Sequence, residues 1–283
     1  MKKILAYVLV LIFVAGGSIV LTNCKNKVNI VKTESAPEKT VVESEKSVIE
    51  PEMKELLPVE IGIDHTASSD LTVLKPSVEI LRKAIEVQQI PKIAVARLGE
   101  GGKSSWAESL KLFQMTLIPT GIFDVTAAEN SIEQKCRTRL RCRQERLKKM
   151  REDFDSMKAE KMKSALTERG GKSHEIADLI LEPPKGEAQC SDLIGFRDRL
   201  FSDAYKRVVF YSDGLHDCAT PISTKRFAPD VKVLILQLPV KGENSGVAFA
   251  ERTKMLQQIF TGDGVTIMPV VSANEETFKK FFE

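Results

Sequence analysis

The sequence predicts an α/β fold, a doubly wound and mostly parallel sheet flanked by helices. Three observations predict it. Short apolar runs alternate along the chain with segments of helical periodicity. One run, DVKVLILQLPV, is almost continuously apolar, as a strand buried on both faces is. Polar motifs follow two of the runs, at the place where open α/β sheets bind ligands.

The beginning of the chain is not expected to belong to this fold. Lys2 and Lys3 precede an apolar run that ends at Cys24, which is typical of a secretion signal and, at ~20 residues, long enough to span a bilayer. LTNC resembles the lipobox of bacterial lipoproteins and would make Cys24 a lipid attachment site, although Asn23 stands where a smaller residue is usual. A lipid anchor, an uncleaved membrane helix and secretion all fit this pattern. All three place the main domain outside the cytoplasm, and the two anchored forms place it in the bacterial cell envelope.

Residues 25–57 are expected to form a flexible linker, because Lys, Glu, Ser and Pro dominate the segment and aromatic residues are absent. The main domain is therefore expected to span residues 58–283. The formal net charge of the 283-residue chain is only +3, so no nucleic-acid partner is expected.

The first half of the domain opens with strand-like alternation at Val59, Ile61 and Ile63. LKPSVEILRKAIEVQQI has the periodicity of an amphipathic helix, with Pro76 suited to its first turn. KIAVARLGEGG predicts a second strand closed by glycines, and AESLKLFQMTLI a third.

Residues 127–169 form a basic segment with no proline and with 13 Lys or Arg against 8 Asp or Glu. Its thin apolar stripe has roughly helical spacing, so we predict one long helix or two. The segment either packs on the domain as a solvated helix or projects to contact a partner or acidic lipid headgroups.

In the last third of the chain, strand-like patterns again alternate with helical ones. KRVVFYSDG predicts a strand that ends at Asp213, and DVKVLILQLPV predicts the next strand. GVAFAERTKMLQQIF predicts a helix, GVTIMPVV a strand, and NEETFKKFFE a final helix capped by Asn274.

Four cysteines lie in the main domain. Cys136 and Cys142 fall in one predicted helix, where six residues separate their Cα atoms by ~9 Å, too far for a disulfide without a break in the helix. Cys190 and Cys218 form the better candidate pair, and four free thiols fit the sequence as well.

Two strand ends carry oxygen ligands, and they are expected on the same edge of the sheet. DHTAS places Asp64, Thr66 and Ser68 after the first strand, and SDG places Asp213 after a later one. These motifs resemble the D-x-[ST]-x-S and SDG sequences of von Willebrand factor A domains, and the order of elements over residues 58–283 is similar as well. The resemblance implies a metal-ion-dependent adhesion site.

The family takes a further hydroxyl ligand from the loop before the helices that lead to the SDG strand. ERGGKSHEIADLI occupies that place, so Ser173 is the candidate ligand and Thr167 a second choice. Mg²⁺, or Mn²⁺, suits such a set of oxygen ligands, because it is a hard ion that keeps near-octahedral geometry. The resemblance implies a non-enzymatic module that binds a protein ligand presenting a carboxylate, with the membrane reached through the N-terminal anchor.

The same residues permit several different interpretations. Both motifs also suit ordinary turns. The three histidines, His65, His174 and His216, each stand beside a motif residue and could form a transition-metal site. IGIDHTASSD resembles the first phosphate loop of actin-like ATPases, but no glycine follows Asp64. Two more functions fit the sequence, a metal-dependent phosphohydrolase and a metal-free scaffold that binds partners through the basic segment.

Overall fold

The computed structural model describes residues 57–65, 68–98, 110–136, 139–183, 190–202, 205–218, 225–242 and 246–283. The predicted anchor with Cys24, and the linker as far as residue 56, lie outside the described residues, as does Thr66. The described residues belong to one compact unit, Lys46–Glu283. None of the helices described there is long and apolar enough to cross a membrane.

Strands and helices alternate along the chain. Their order is β1 (Val59–Asp64), α1 (Leu74–Val87), β2 (Lys92–Leu98), β3 (Lys111–Gln114), α2 (Val125–Cys136), α3 (Leu140–Leu181), α4 (Leu193–Ser202), β4 (Arg207–Ser212), β5 (Lys232–Gln237), α5 (Gly246–Ile259), β6 (Val265–Pro269) and α6 (Glu275–Phe282).

The strands form one six-stranded sheet in the order β3-β2-β1-β4-β5-β6. The edge strand β3 is antiparallel to β2, and the other neighbours are parallel. The α/β class and the mostly parallel sheet are confirmed, and the arrangement is compatible with a Rossmann-like fold. The chain leaves β1 toward β2 on one side and later adds β4 on the other side. The carboxyl ends of β1 and β4 therefore bound the switch point of the sheet, where such folds bind ligands.

Helices cover both faces of the sheet. Alternate residues of the central strands pack with α1, the second half of α3 and α6 on one face. The intervening residues pack with α4 and α5 on the other. All six residues of β1 are buried. Helices on both faces explain why the central strands are almost continuously apolar in the sequence.

The basic segment, residues 127–169, is divided between α2 and α3, which pack against each other as a helical hairpin. The helical structure is interrupted between Cys136, the last residue of α2, and Leu140, the first residue of α3. This break brings the Cα atoms of Cys136 and Cys142 to 5.8 Å, and the two residues form a disulfide. The sequence allowed this bridge only if the helix is broken, and the interruption between α2 and α3 meets that condition.

Helix α3 continues through Gly170 and Gly171, where the sequence predicted a loop. The buried guanidinium of Arg169 holds this part of the helix in place. It donates to five backbone carbonyls around the end of α1 and the segments beside β2 and β3, those of Ile85, Glu86, Gln88, Ile90 and Thr116. These contacts outweigh the low helix propensity of the glycines, which costs about 1 kcal/mol each relative to alanine.

Candidate functional site

The carboxylates of Asp64 and Asp213 lie at the carboxyl ends of two neighbouring strands. Asp64 is the last residue of β1, and Asp213 directly follows β4. The register pairs Ile63 with Tyr211, so the two strands end at the same level. Both aspartates are 0% exposed. The two acids expected on one sheet edge are therefore adjacent at the switch point.

The loop after β1 brings hydroxyl groups to Asp213. Ser68 Oγ donates to Asp213 Oδ2 over 2.6 Å, and Ser69 Oγ donates to the same oxygen over 3.1 Å. A neighbouring segment holds this loop in place, because the backbone N–H of Lys241 donates to the carbonyl of Ser68. The N–H of Asp70 likewise donates to the carbonyl of Pro239. The segment after β5 thus holds the serines in position.

A second pair of hydroxyls contacts Asp64. Ser212 Oγ donates to Asp64 Oδ2 over 2.9 Å, and Ser191 Oγ donates to Oδ1 over 3.4 Å. Ser191 is 1% exposed and lies in the segment between α3 and α4. The motifs in the sequence did not point to its hydroxyl.

The position of Ser191 is fixed by the segment that follows Asp213. The carboxylate of Asp217 accepts a hydrogen bond from the Ser191 N–H, and His216 Nδ1 lies 3.0 Å from the Ser191 carbonyl oxygen. The predicted disulfide between Cys190 and Cys218 is present and joins the same two segments covalently. These contacts hold a serine hydroxyl against Asp64 from a third loop.

Ser173 does not reach this site. It is a buried residue in the second half of α3, where its hydroxyl donates to Glu86 and to the carbonyl of Gly170. Glu86 lies in the last turn of α1, just before the chain enters the amino end of β2, whereas the aspartates lie at the carboxyl ends of the strands. Thr167 is on the exposed side of α3 and donates to the Lys163 carbonyl. The structure therefore brings the hydroxyl of Ser191, and not that of Ser173, beside Asp64.

The turn after β4 depends on Gly214, whose φ of +80° lies in the left-handed region that favours glycine. A Cβ atom there would lie 3.1 Å from the Leu256 side chain. The turn lets the Leu215 N–H donate back to Asp213 Oδ1 over 2.9 Å. Arg252 Nε donates to the Asp213 carbonyl oxygen over 2.6 Å, so this residue is held at both its backbone and its side chain.

The described contacts of the Asp213 carboxylate come from neutral donors. These are the hydroxyls of Ser68 and Ser69 and the backbone N–H of Leu215. Within the described ranges, no cationic side chain forms an ion pair with the Asp213 carboxylate. A buried carboxylate without a counter-charge is costly, and a bound cation would offset that cost. Carboxylate and hydroxyl oxygens are the ligands that hard divalent ions prefer.

The three histidines do not form a cluster. His65 is buried beside Arg97; burial, reinforced by this guanidinium, lowers the pKa of the imidazole to about 4. His174 is exposed on α3, with Nδ1 2.9 Å from the Gly170 carbonyl oxygen, and only His216 adjoins Ser191. The ligand atoms of Cys190, Asp217 and Cys218 lie within 4.8 Å of one another, but the two sulfurs are bonded to each other.

Comparison with known proteins gives no family. No protein-family model matches the sequence, and no curated protein matches it significantly. In the sequence, CSD immediately precedes the helical pattern LIGFRDRL, which marks the start of α4 but does not indicate that Ser191 lies beside Asp64. Asp192 caps α4, with its carboxylate accepting from the Gly195 N–H over 2.8 Å.

Proposed function

We propose that this protein is a non-enzymatic, envelope-anchored binding module of the von Willebrand factor A type, with a metal-ion-dependent adhesion site. Its Mg²⁺ or Mn²⁺ ion binds at the carboxyl ends of β1 and β4, among Asp64, Ser68, Ser191 and Asp213. Thr66, the middle residue of the DHTAS motif, is proposed as a further ligand from the resemblance alone. The observation that carries the proposal is the 2.6 Å contact between Ser68 and Asp213, made beside the buried Asp64.

The hydrogen-bonded serines suit metal coordination. A hydroxyl has one hydrogen to donate and two lone pairs to offer. Ser68 can therefore coordinate an ion with its oxygen while its hydrogen still points to Asp213 Oδ2, and Ser191 can do the same beside Asp64. The hydrogen bonds would thus hold the hydroxyls in place for the ion.

Partner binding follows from the ligand set. Mg²⁺ keeps about six oxygen ligands, and some of them are waters when the protein supplies few. Serine hydroxyls are neutral, so the ion keeps its attraction for an additional anionic ligand. A carboxylate of a protein partner can replace a water and complete the coordination shell.

The topology supports the family assignment. The DHTAS motif follows β1, the SDG motif follows β4, and the antiparallel strand is β3 at the sheet edge. This agrees with the element order on which the resemblance rests. The site lies at the switch point, which is the usual ligand position in an open α/β sheet.

Thermal unfolding with added metal tests the proposal. A bound ion stabilises only the folded state, by about 2.7 kcal/mol when the ion is at 100 times its Kd. Wild type is expected to gain thermal stability with Mg²⁺ or Mn²⁺, and Asp64→Ala and Ser68→Ala are expected to lose that gain. Ser173→Ala is the control and should retain it. A wild-type protein that shows no shift at saturating metal contradicts the proposal.

A further inference from the structure

The hairpin formed by α2 and α3 ends in a strongly basic tip, which we define as residues 139–151. Of its 13 residues, seven are Lys or Arg and one, Glu145, is acidic. None of the 13 is buried, and the Arg141 side chain is 93% exposed. So many exposed cations on one short helical segment repel each other, and an anionic partner would relieve this repulsion.

The tip is held in a defined shape. The disulfide between Cys136 and Cys142 joins the end of α2 to the first turn of α3. The N–H of Arg139 also donates to the Cys136 carbonyl oxygen over 3.1 Å. Further along, the Phe123 and Phe154 rings pack at 5.6 Å between centroids and fix the base of the hairpin. A shape fixed in this way presents its cations without a large ordering cost on binding.

The basic tip also exposes apolar side chains. Leu140 is 69% exposed in the first turn of α3, between Arg139 and Arg141, and Met150 is 36% exposed. Neither of the two core clusters contains a residue of the tip. Exposed apolar side chains among cations are the pattern of segments that lie in the membrane interface. Contact with nucleic-acid phosphates needs the charge alone.

We propose that the hairpin tip docks on a bilayer surface that contains anionic phospholipid. Its Lys and Arg side chains contact lipid phosphates, and Leu140 enters the headgroup region. This contact is separate from the proposed metal site. The tip lies at the start of α3, whereas the segment with Ser191 follows the end of that helix. The second half of α3, which contains the buried Ser173, lies between them. It would set the orientation of the domain on the membrane.

The test uses the full chain incorporated into lipid nanodiscs, made of phosphatidylcholine either alone or with phosphatidylglycerol. Lysine acetylation is followed residue by residue with mass spectrometry. Lys148 and Lys149 in the tip are expected to react about fivefold more slowly on the anionic discs, because a lysine near such a surface gains about 1 kcal/mol. The exposed Lys161 and Lys254 should react equally on both discs.

Variants separate charge from apolar contact. Replacing Arg139, Arg141 and Arg146 with Gln should remove the protection, whereas the same change at Lys163, Lys279 and Lys280 should leave it intact. Leu140→Gln should weaken it, and Val247→Gln, at a site 70% exposed on α5, should not.

Two results would overturn the proposal. One is equal acetylation of Lys148 and Lys149 on the two kinds of disc. The other is equal protection by a short DNA duplex that Leu140→Gln leaves unchanged, which would assign the tip to nucleic acid.

Discussion

Ser68 Oγ and Asp213 Oδ2 are joined by a 2.6 Å hydrogen bond, although the residues are 145 positions apart in the sequence. The bond fixes the loop after β1 to the turn after β4 across the switch point of the sheet. Together with the contact between Ser191 and Asp64, it gathers three segments of the chain around two buried carboxylates. Any change that separates these segments should therefore weaken metal binding.

Alanine variants of Ser191 and Ser173 compare the two candidates for the third hydroxyl ligand of the proposed metal ion. Ser191→Ala should lower Mg²⁺ affinity by about tenfold or more, because a hydroxyl that ligates the ion or orients its ligands is lost. Ser173→Ala should leave the affinity unchanged and lower the free energy of unfolding by about 1 kcal/mol, through the lost bond to Glu86. Calorimetric titration with metal and urea unfolding measure the two effects. Equal affinities in both variants would contradict the assignment of Ser191.

The two disulfides should differ in their effect on the site. Replacing Cys190 and Cys218 with Ser should cost about 3.5 kcal/mol of stability in the chain-entropy account and should also lower metal affinity, because the disulfide holds the Ser191 loop against the segment after Asp213.

Replacing Cys136 and Cys142 with Ser is the control for that experiment. It should cost about 2 kcal/mol, because the loop that this disulfide closes is shorter, and should leave metal affinity as it is. Titration with Mg²⁺ of each variant, under conditions in which both are folded, separates the outcomes. A loss of metal affinity in the control variant would show that removing a disulfide affects more than its own part of the structure.

Gly214 and Gly242 both have positive φ, but only Gly214 is crowded. Gly214→Ala should cost about 2 kcal/mol, from the left-handed backbone and from the Cβ contact with Leu256. Gly242→Ala should cost about 1 kcal/mol, from the backbone alone. Chemical denaturation measures both, and only Gly214→Ala should also shift the metal affinity, since it displaces Asp213. An identical cost in the two variants would argue against the close packing of the turn.

His65 should make the stability of the metal-free protein depend on pH. Its folded pKa of about 4 lies below the ordinary value of 6.5, because burial and Arg97 disfavour the imidazolium. The unfolded chain therefore takes up the proton first as pH falls. The stabilisation is fully present above about pH 6.5 and is lost as pH falls toward 4, by roughly 3 kcal/mol in total.

Denaturation in EDTA at a series of pH values tests this dependence. His65→Gln should flatten the curve between about pH 6.5 and 4. His174→Gln is the control, because His174 is exposed on α3, and it should leave the wild-type slope. An unchanged slope in His65→Gln would assign the pH dependence to other groups.

The sequence carried enough information to predict the sheet and the proximity of three of the candidate ligands. Alternation of apolar residues marks strands, and acids at the ends of parallel strands must meet at one edge, so Asp64, Ser68 and Asp213 could be brought together by topology.

The sequence did not reveal Ser191, because its position depends on contacts with Asp217 and Cys218, which lie in a distant part of the chain. It misplaced Ser173 because Gly170 and Gly171 predict a loop by propensity, whereas the buried Arg169 holds them in a helix. In both cases, contacts between distant parts of the chain determine the local structure.

The most direct test of the metal site is a crystal structure with Mn²⁺, read from anomalous difference density. We predict one peak at the carboxyl ends of β1 and β4, about 2.2 Å from Ser68 Oγ and within direct or water-bridged reach of Asp64 and Asp213. Absence of density there at saturating Mn²⁺, with Ser68 still hydrogen-bonded to Asp213, would contradict the proposed adhesion site.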